Sequence, residues 1–259
     1  MPEQTIPILM YHQVDAEPPK GSPMRGLVVP PKTFARQMAA LSALGFVGKS
    51  MGDLMPYLKG ESQGKVFGIT FDDGYENNLR CALPVLKRYG FSSTCYIVAN
   101  QVGKTNGWDL ERGVKQVPLM TALELQAWVD AGQEVGSHTL NHANLAQSSP
   151  QEQAVEIAQS KIALEAMVRQ TGGVQHFCYP YGGLNDGAVN NVKAAGYLTA
   201  TTTVRGRAVA GQSADLLLPR VLVSRTTTWM QLLLKCLTRY EDKRGEKHAG
   251  KAPKDPYTA

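Results

Sequence analysis

Val66-Phe67-Gly68-Ile69-Thr70-Phe71-Asp72-Asp73-Gly74 is an apolar run that stops at two carboxylates and a glycine. Its first six residues read as a strand. Adjacent side chains on a strand point to opposite faces, so both carboxylates can serve one site only if they lie just past the strand end, where Gly74 lets the backbone turn. Working outward, short β-branched or apolar runs recur at 6–11, 93–99, 133–137, 175–179, 197–201 and 218–223, which with 66–71 makes seven candidate strands. Helical patterns separate them. Residues 33–44 place Phe34, Met38, Leu41 and Leu44 on one face, and 77–89, 186–195 and 226–239 fit further helices. Thr121-Ala122-Leu123-Glu124 is a capping box opening the helix that carries Trp128, and Ser149-Pro150-Gln151-Glu152 is another, with proline at the first helical position. One strand per helix in regular succession predicts an α/β protein with a parallel sheet, closed as a barrel in preference to an open doubly wound sheet.

The chain has 259 residues, 43% hydrophobic and 19% charged, enough for a sizeable core and unlike a disordered or fibrous chain. A formal net charge of +5 is a mild surplus. It lacks the clustered stripe of a nucleic-acid binder, so no nucleic-acid partner is expected, while an anionic glycan or a membrane surface would suit it. The four cysteines form no Cys-x-x-Cys pair, so no thiol metal knuckle or redox motif is visible. The N-terminus has no basic start followed by an apolar run, and no stretch is long enough to cross a bilayer. As it stands the sequence points to a cytoplasmic chain with a reduced set of thiols. Residues 241–259 are charged and poor in large apolar groups, and are read as a disordered tail on a single domain spanning 1–240.

Three further segments fall at predicted strand ends. Ser137-His138-Thr139-Leu140-Asn141-His142 places two imidazoles four residues apart, and two histidines with one carboxylate and an open position form a recognised catalytic metal arrangement. Tyr179-Pro180-Tyr181-Gly182-Gly183 is a turn whose backbone N–H groups could face a developing oxyanion. Tyr11-His12 ends the first strand. Each alone reads as readily as a loop, a turn or a structural histidine. Together they put four polar groups at the C-terminal ends of four parallel strands, where a β/α barrel builds its active site. The long segment 100–118, with Trp108, offers substrate contacts. Trp229, Leu232, Leu233 and Cys236 read as core, and exposure of Leu234 and Leu237 would instead point to a membrane.

Thr70-Phe71-Asp72-Asp73-Gly74 and Ser137-His138-Thr139-Leu140-Asn141-His142 together resemble the first two motifs of the polysaccharide deacetylase family, the NodB-homology domain of carbohydrate esterase family four. The resemblance runs from about Ile6 to Trp229. It implies a distorted (β/α)7 barrel, with Asp72 as general base, Asp73, His138 and His142 as ligands of a divalent metal, and the Tyr181 N–H as oxyanion donor. Two departures stand out. Cys178 occupies the place of the usual third-motif arginine, and no late Leu-x-His segment supplies the general acid. With the opening Pro7-Ile8-Leu9-Met10-Tyr11-His12, these features resemble the branch of biofilm poly-N-acetylglucosamine deacetylases, in which the acid is the N-terminal histidine, here His12. Arg220 then becomes the candidate to replace the missing arginine beside Asp72, and Pro180, Arg220 and Trp108 the candidate substrate contacts.

The implied activity is removal of N-acetyl groups from a sugar or glycan, including a lipid-linked one, with peripheral membrane contact as a corollary. Zinc is the first metal expected, and cobalt, nickel or iron also suit mixed nitrogen and oxygen ligands. Hydrolysis of a non-sugar amide on the same fold, and a catalytically silent carbohydrate-binding protein, are the alternatives. Protonated His12 would need a carboxylate to sustain its charge beside a dication, and Asp15 is the nearest in sequence.

Overall fold

The computed structural model describes residues 4–212 and 215–247. Seven strands, β1 (Ile8–Tyr11), β2 (Val66–Phe71), β3 (Thr94–Ile97), β4 (Glu134–Ser137), β5 (His176–Cys178), β6 (Thr199–Arg205) and β7 (Leu218–Leu222), follow one another in parallel pairing. The pairing of β7 with β1 (Val221 beside Leu9) and of β1 with β2 (Ile8 beside Gly68) closes them into a barrel. Helices α1 (Pro31–Ala43), α2 (Met51–Leu58), α3 (Leu83–Tyr89), α4 (Ala122–Asp130), α5 (Pro150–Met167), α6 (Asp186–Ala194), α7 (Trp229–Leu237) and α8 (Tyr240–Glu246) lie around it. This is the expected (β/α)7 fold, in one domain.

The strand period of two sorts the side chains into two shells. Outward residues such as Tyr11, Phe71 and Phe177 pack with Phe34 and Trp128 beneath the helices. Tyr11 meets the Phe34 ring edge-on at 5.2 Å, and Phe71 meets Trp128 the same way at 5.9 Å. Inward residues fill the barrel: Ile8, Val66, Tyr96, Cys178 and Leu218 in one apolar cluster, Arg220 among them. Gly136 is required here, since a Cβ on it would lie 2.6 Å from the Tyr96 ring. The same alternation carries Asp72 and His138, the next inward positions after Thr70 and Gly136, to the C-terminal mouth.

Several helix starts are fixed as the sequence predicts. Thr121 and Ser149 both form reciprocal capping boxes, with Glu124 and Glu152. Other elements differ. The short strand Val47–Lys49 pairs with the start of β2, and α2 follows it, capped by Ser50 and containing Pro56; neither was expected. The residues expected to form a tail from position 241 begin instead as α8. Glu241 is fully buried and accepts both Arg205 Nε (2.6 Å) and Arg205 Nη2 (2.7 Å), while Asp242 accepts Arg207 Nη2 at 2.6 Å. The remainder of that expectation, 248–259, lies outside the described residues.

Candidate active site

The turn after β2 brings consecutive carboxylates to one place because Asp73 and Gly74 both take left-handed backbone, with φ of 77° and 83°. Asp72 therefore continues the inward face while the chain reverses at Asp73. Thr139 (φ 66°), His142 (φ 62°) and Tyr181 (φ 58°) carry the same conformation in the turns after β4 and β5. Each such non-glycine residue costs on the order of 1–3 kcal/mol, and their clustering at one barrel mouth marks a place where geometry outranks local stability.

Asp73 Oδ1 lies 3.2 Å from His142 Nε2 and 3.6 Å from His138 Nε2. All three side chains are buried, and Asp73 Oδ1 and the two Nε2 atoms make no regular hydrogen bond. The carbonyl of Cys178 lies 2.8 Å from His138 Nδ1, which must donate to it, so the neutral ring presents a lone pair at Nε2. Three buried donor atoms within 4.8 Å of one another, one anionic and two imidazole, form a cradle that suits a divalent ion. A second set, Asp72, His138 and Cys178, meets the same criterion but contains a carboxylate already committed elsewhere.

That commitment is to Arg220. Its Nη1 and Nη2 donate to the two Asp72 oxygens at 2.7 and 2.8 Å, and further bonds to Thr70 Oγ1, the Thr202 carbonyl and Cys178 Sγ (3.2 Å) lock the guanidinium. Burial pushes the Asp72 carboxyl up, but the bidentate Arg220 outweighs it and leaves the pKa lowered. Asp73 is likewise opposed by burial and brought to about 2 by His142, 3.2 Å away, and by the imidazoles of His12 and His138. Both are carboxylates at neutral pH. Arg220, 1% exposed, sits behind Asp72 and not at a sugar, so its expected substrate contact gives way to a contact with the carboxylate.

His12 lies with Nε2 3.9 Å from Asp72 Oδ2. Burial lowers its pKa, against the raising influence of Asp72 and Asp73. Asp15, expected to face it, bonds Asn77 and Arg80 instead. For His138 burial also disfavours the charge, yet Cys178, Asp72 and Asp73 prevail and lift its pKa to about 9, so a metal at Nε2 would bind by displacing the proton held there. Trp108, half-buried, stacks on the His142 ring at 4.6 Å and 17°, while Tyr181 meets the other side edge-on at 4.5 Å. Pro180 is buried at the base of the Tyr181 turn, and the Arg112 guanidinium covers the Tyr181 ring at 5.1 Å. Sequence reasoning missed Tyr75, the residue after Gly74, which is buried beside Asp73 and whose hydroxyl pKa burial and that carboxylate raise; its place directly after the acidic motif was the available signal. Asp109, in the segment 100–118 expected to offer substrate contacts, is fully buried next to Trp108.

A model of the family described as polysaccharide deacetylase matches residues 59–200, more than half of the chain. The chain belongs to the polysaccharide deacetylase family. A Bacillus subtilis relative, YxkH, named for the same family, is 30% identical over 209 residues, covering 80% of this chain and 67% of its own. The poly-beta-1,6-N-acetyl-D-glucosamine N-deacetylase of Staphylococcus aureus is 26% identical over 173 residues, and this family member spans 57% of that enzyme's length. The Streptococcus pyogenes deacetylase PplD, solved in complex with acetate, superposes with a TM-score of 0.76 at 25% identity, over 90% of this chain and 99% of its own. The likeness thus extends across the barrel that carries the site.

Proposed function

We propose that this polysaccharide deacetylase family member is a metal-dependent hydrolase that removes acetyl groups from an N-acetylated glycan of the poly-N-acetylglucosamine or lipopolysaccharide kind. The observation that carries the reading is a division of labour between neighbours: Asp73 converges with His138 and His142, whereas Asp72 is held apart by Arg220. Binding alone needs no such separation of a metal carboxylate from a proton-accepting one, which argues against a silent carbohydrate-binding protein.

Asp73, His138 and His142 would hold a divalent metal, zinc in the first instance, with cobalt, nickel or iron as alternatives. Bound there, it would supply Lewis acidity toward the acetamide carbonyl and toward the attacking water. Asp72, ionised and oriented by Arg220, takes a proton from the attacking water. The Tyr181 N–H donates to the oxygen that becomes negative. His12 gives a proton to the departing amine nitrogen. Because burial lowers its pKa, His12 acquires that proton within the cycle, and the group facing it is the Asp72 oxygen at 3.9 Å. Trp108, half-buried over His142, walls the approach of the sugar, while buried Pro180 shapes the turn that carries Tyr181.

Acetate release from N-acetylglucosamine oligomers, measured with chelator and after metal restoration, tests the reading. Release that stops with chelator and returns with a divalent metal is expected. Unchanged release in chelator removes the metal from the account, and no release from any N-acetylated glycan removes the substrate class. Asp73→Asn is expected to weaken metal affinity as well as activity, measured by titration calorimetry.

A further inference from the structure

α7 has two apolar faces, and the barrel covers only one. Leu232 and Cys236 are buried in the core, and α1 anchors the preceding turn through Gln37 Nε2, which donates to the Thr227 carbonyl at 2.7 Å. On the other side Trp229, Met230, Leu234 and Leu237 remain 43, 61, 46 and 45% exposed. At about 100° per residue these four positions fall within an arc of about 140°, with half-buried Leu233 between them, so they form one stripe.

The helices packed on α7 carry exposed cations. Neither α1 nor α7 contains an acidic residue, and the helices that pack on α7 expose Lys32 and Arg36 from α1, and Lys243 and Arg244 from α8. The acids of α8 are engaged: Glu241 with Arg205, Asp242 with Arg207 and Glu246 with Arg239. A second copy of the chain laid on this face would oppose like charges, whereas an anionic lipid surface would neutralise them. No helix among the described residues is long and apolar enough to cross a membrane.

We infer that α7 is an interfacial helix that docks the protein on an anionic bilayer, with Trp229, Met230, Leu234 and Leu237 entering the headgroup boundary and Lys32, Arg36, Lys243 and Arg244 meeting lipid phosphates. An amphipathic helix with an apolar stripe, a tryptophan and basic flanks binds in this way. α7 starts at Trp229, beyond the C-terminal end of β7 at Leu222, so its first turn follows the barrel end that holds Asp72 and His138. Docking therefore holds the flank of the barrel on the membrane that carries the glycan. This deepens the proposed function, since it specifies where the substrate is presented, but its test does not depend on catalysis.

The experiment is cosedimentation of the full chain with phosphatidylglycerol vesicles and, separately, phosphatidylcholine vesicles, for the wild type and for Leu234→Ser/Leu237→Ser. Binding to phosphatidylglycerol that falls with added salt, with little on phosphatidylcholine, is expected. The double variant is expected to lose about tenfold or more in vesicle partitioning while its melting temperature and its acetate release from soluble oligomers stay unchanged. Absence of wild-type binding to phosphatidylglycerol, or equal binding by the double variant, overturns the inference. So does a wild-type dimer that the double variant converts to monomer, which would make the stripe a protein interface. Loss of acetate release in both proteins with vesicle binding intact would count against the proposed reaction instead.

Discussion

Asp72 and Asp73 differ in surroundings because one backbone torsion separates them. With φ at 77°, Asp73 leaves the strand direction and faces two imidazoles, while Asp72 stays on the barrel axis above Arg220. Arg220→Met would leave a buried carboxylate without its countercharge, at a cost of about 3–5 kcal/mol in unfolding free energy. It should also shift the acid limb of the activity–pH profile upward. The sign follows from the lowered native pKa of Asp72: its stabilisation is present above the ordinary carboxylate pKa and is lost as pH falls through the native value. A variant with unchanged stability and an unmoved acid limb would mean that Asp72 does not depend on the guanidinium. His12→Ala is expected to retain metal and fold while its rate defect shrinks on an activated aryl ester, whose leaving group needs no proton. Equal losses on sugar amide and ester would make His12 a binding or structural residue. Both carboxylates and both metal-candidate histidines were legible in the sequence, since they lie within contiguous motifs. Arg220 was legible only as a substitute for an absent arginine, because 148 residues separate it from Asp72. The Asp15 expectation failed for the converse reason: closeness in sequence to His12 did not survive the turn, where Asn77 and Arg80 took the carboxylate.

Among the elements, the strand 66–71 was readable to the residue, as were the capping boxes at Thr121 and Ser149, because local chemistry decides both. Val47–Lys49 and α2 were not. A three-residue strand centred on Gly48 and a helix interrupted by Pro56 carry little local signal, and pairing with β2 decides them. α8 was misread because its charged residues look solvated until Arg205 and Arg207, 36 and 35 residues away, are brought beside them. Glu241→Ala should accordingly cost about 2 kcal/mol, less than a fully dry pair because Arg205 retains solvent contact, and chemical denaturation would measure it. No loss would return 241–247 to the status of a tail. At the start of β5, His176 offers a pH test remote from the site. Burial lowers its pKa despite Glu134 at 3.4 Å, so the unfolded chain takes up a proton near pH 6.5 that the native state refuses. Stability should therefore fall as pH drops below about 6.5, and His176→Gln should flatten that decline in denaturation curves at pH 5.5 and 7.

For the whole molecule, barrel closure is what makes the four strand-end segments one site, and seven runs separated by helices were enough to anticipate it. The face of α7 that the core leaves uncovered was not readable, because helical spacing shows which residues share a face and not which face the core takes. The central claim is that two adjacent aspartates divide proton transfer from metal binding. Asp72→Asn tests it most directly when bound metal and acetate release from an N-acetylglucosamine oligomer are measured on the same preparation. The account predicts metal stoichiometry equal to the wild type and a turnover lower by about two to four orders of magnitude. Turnover near the wild-type value, or loss of the metal together with the activity, would contradict it.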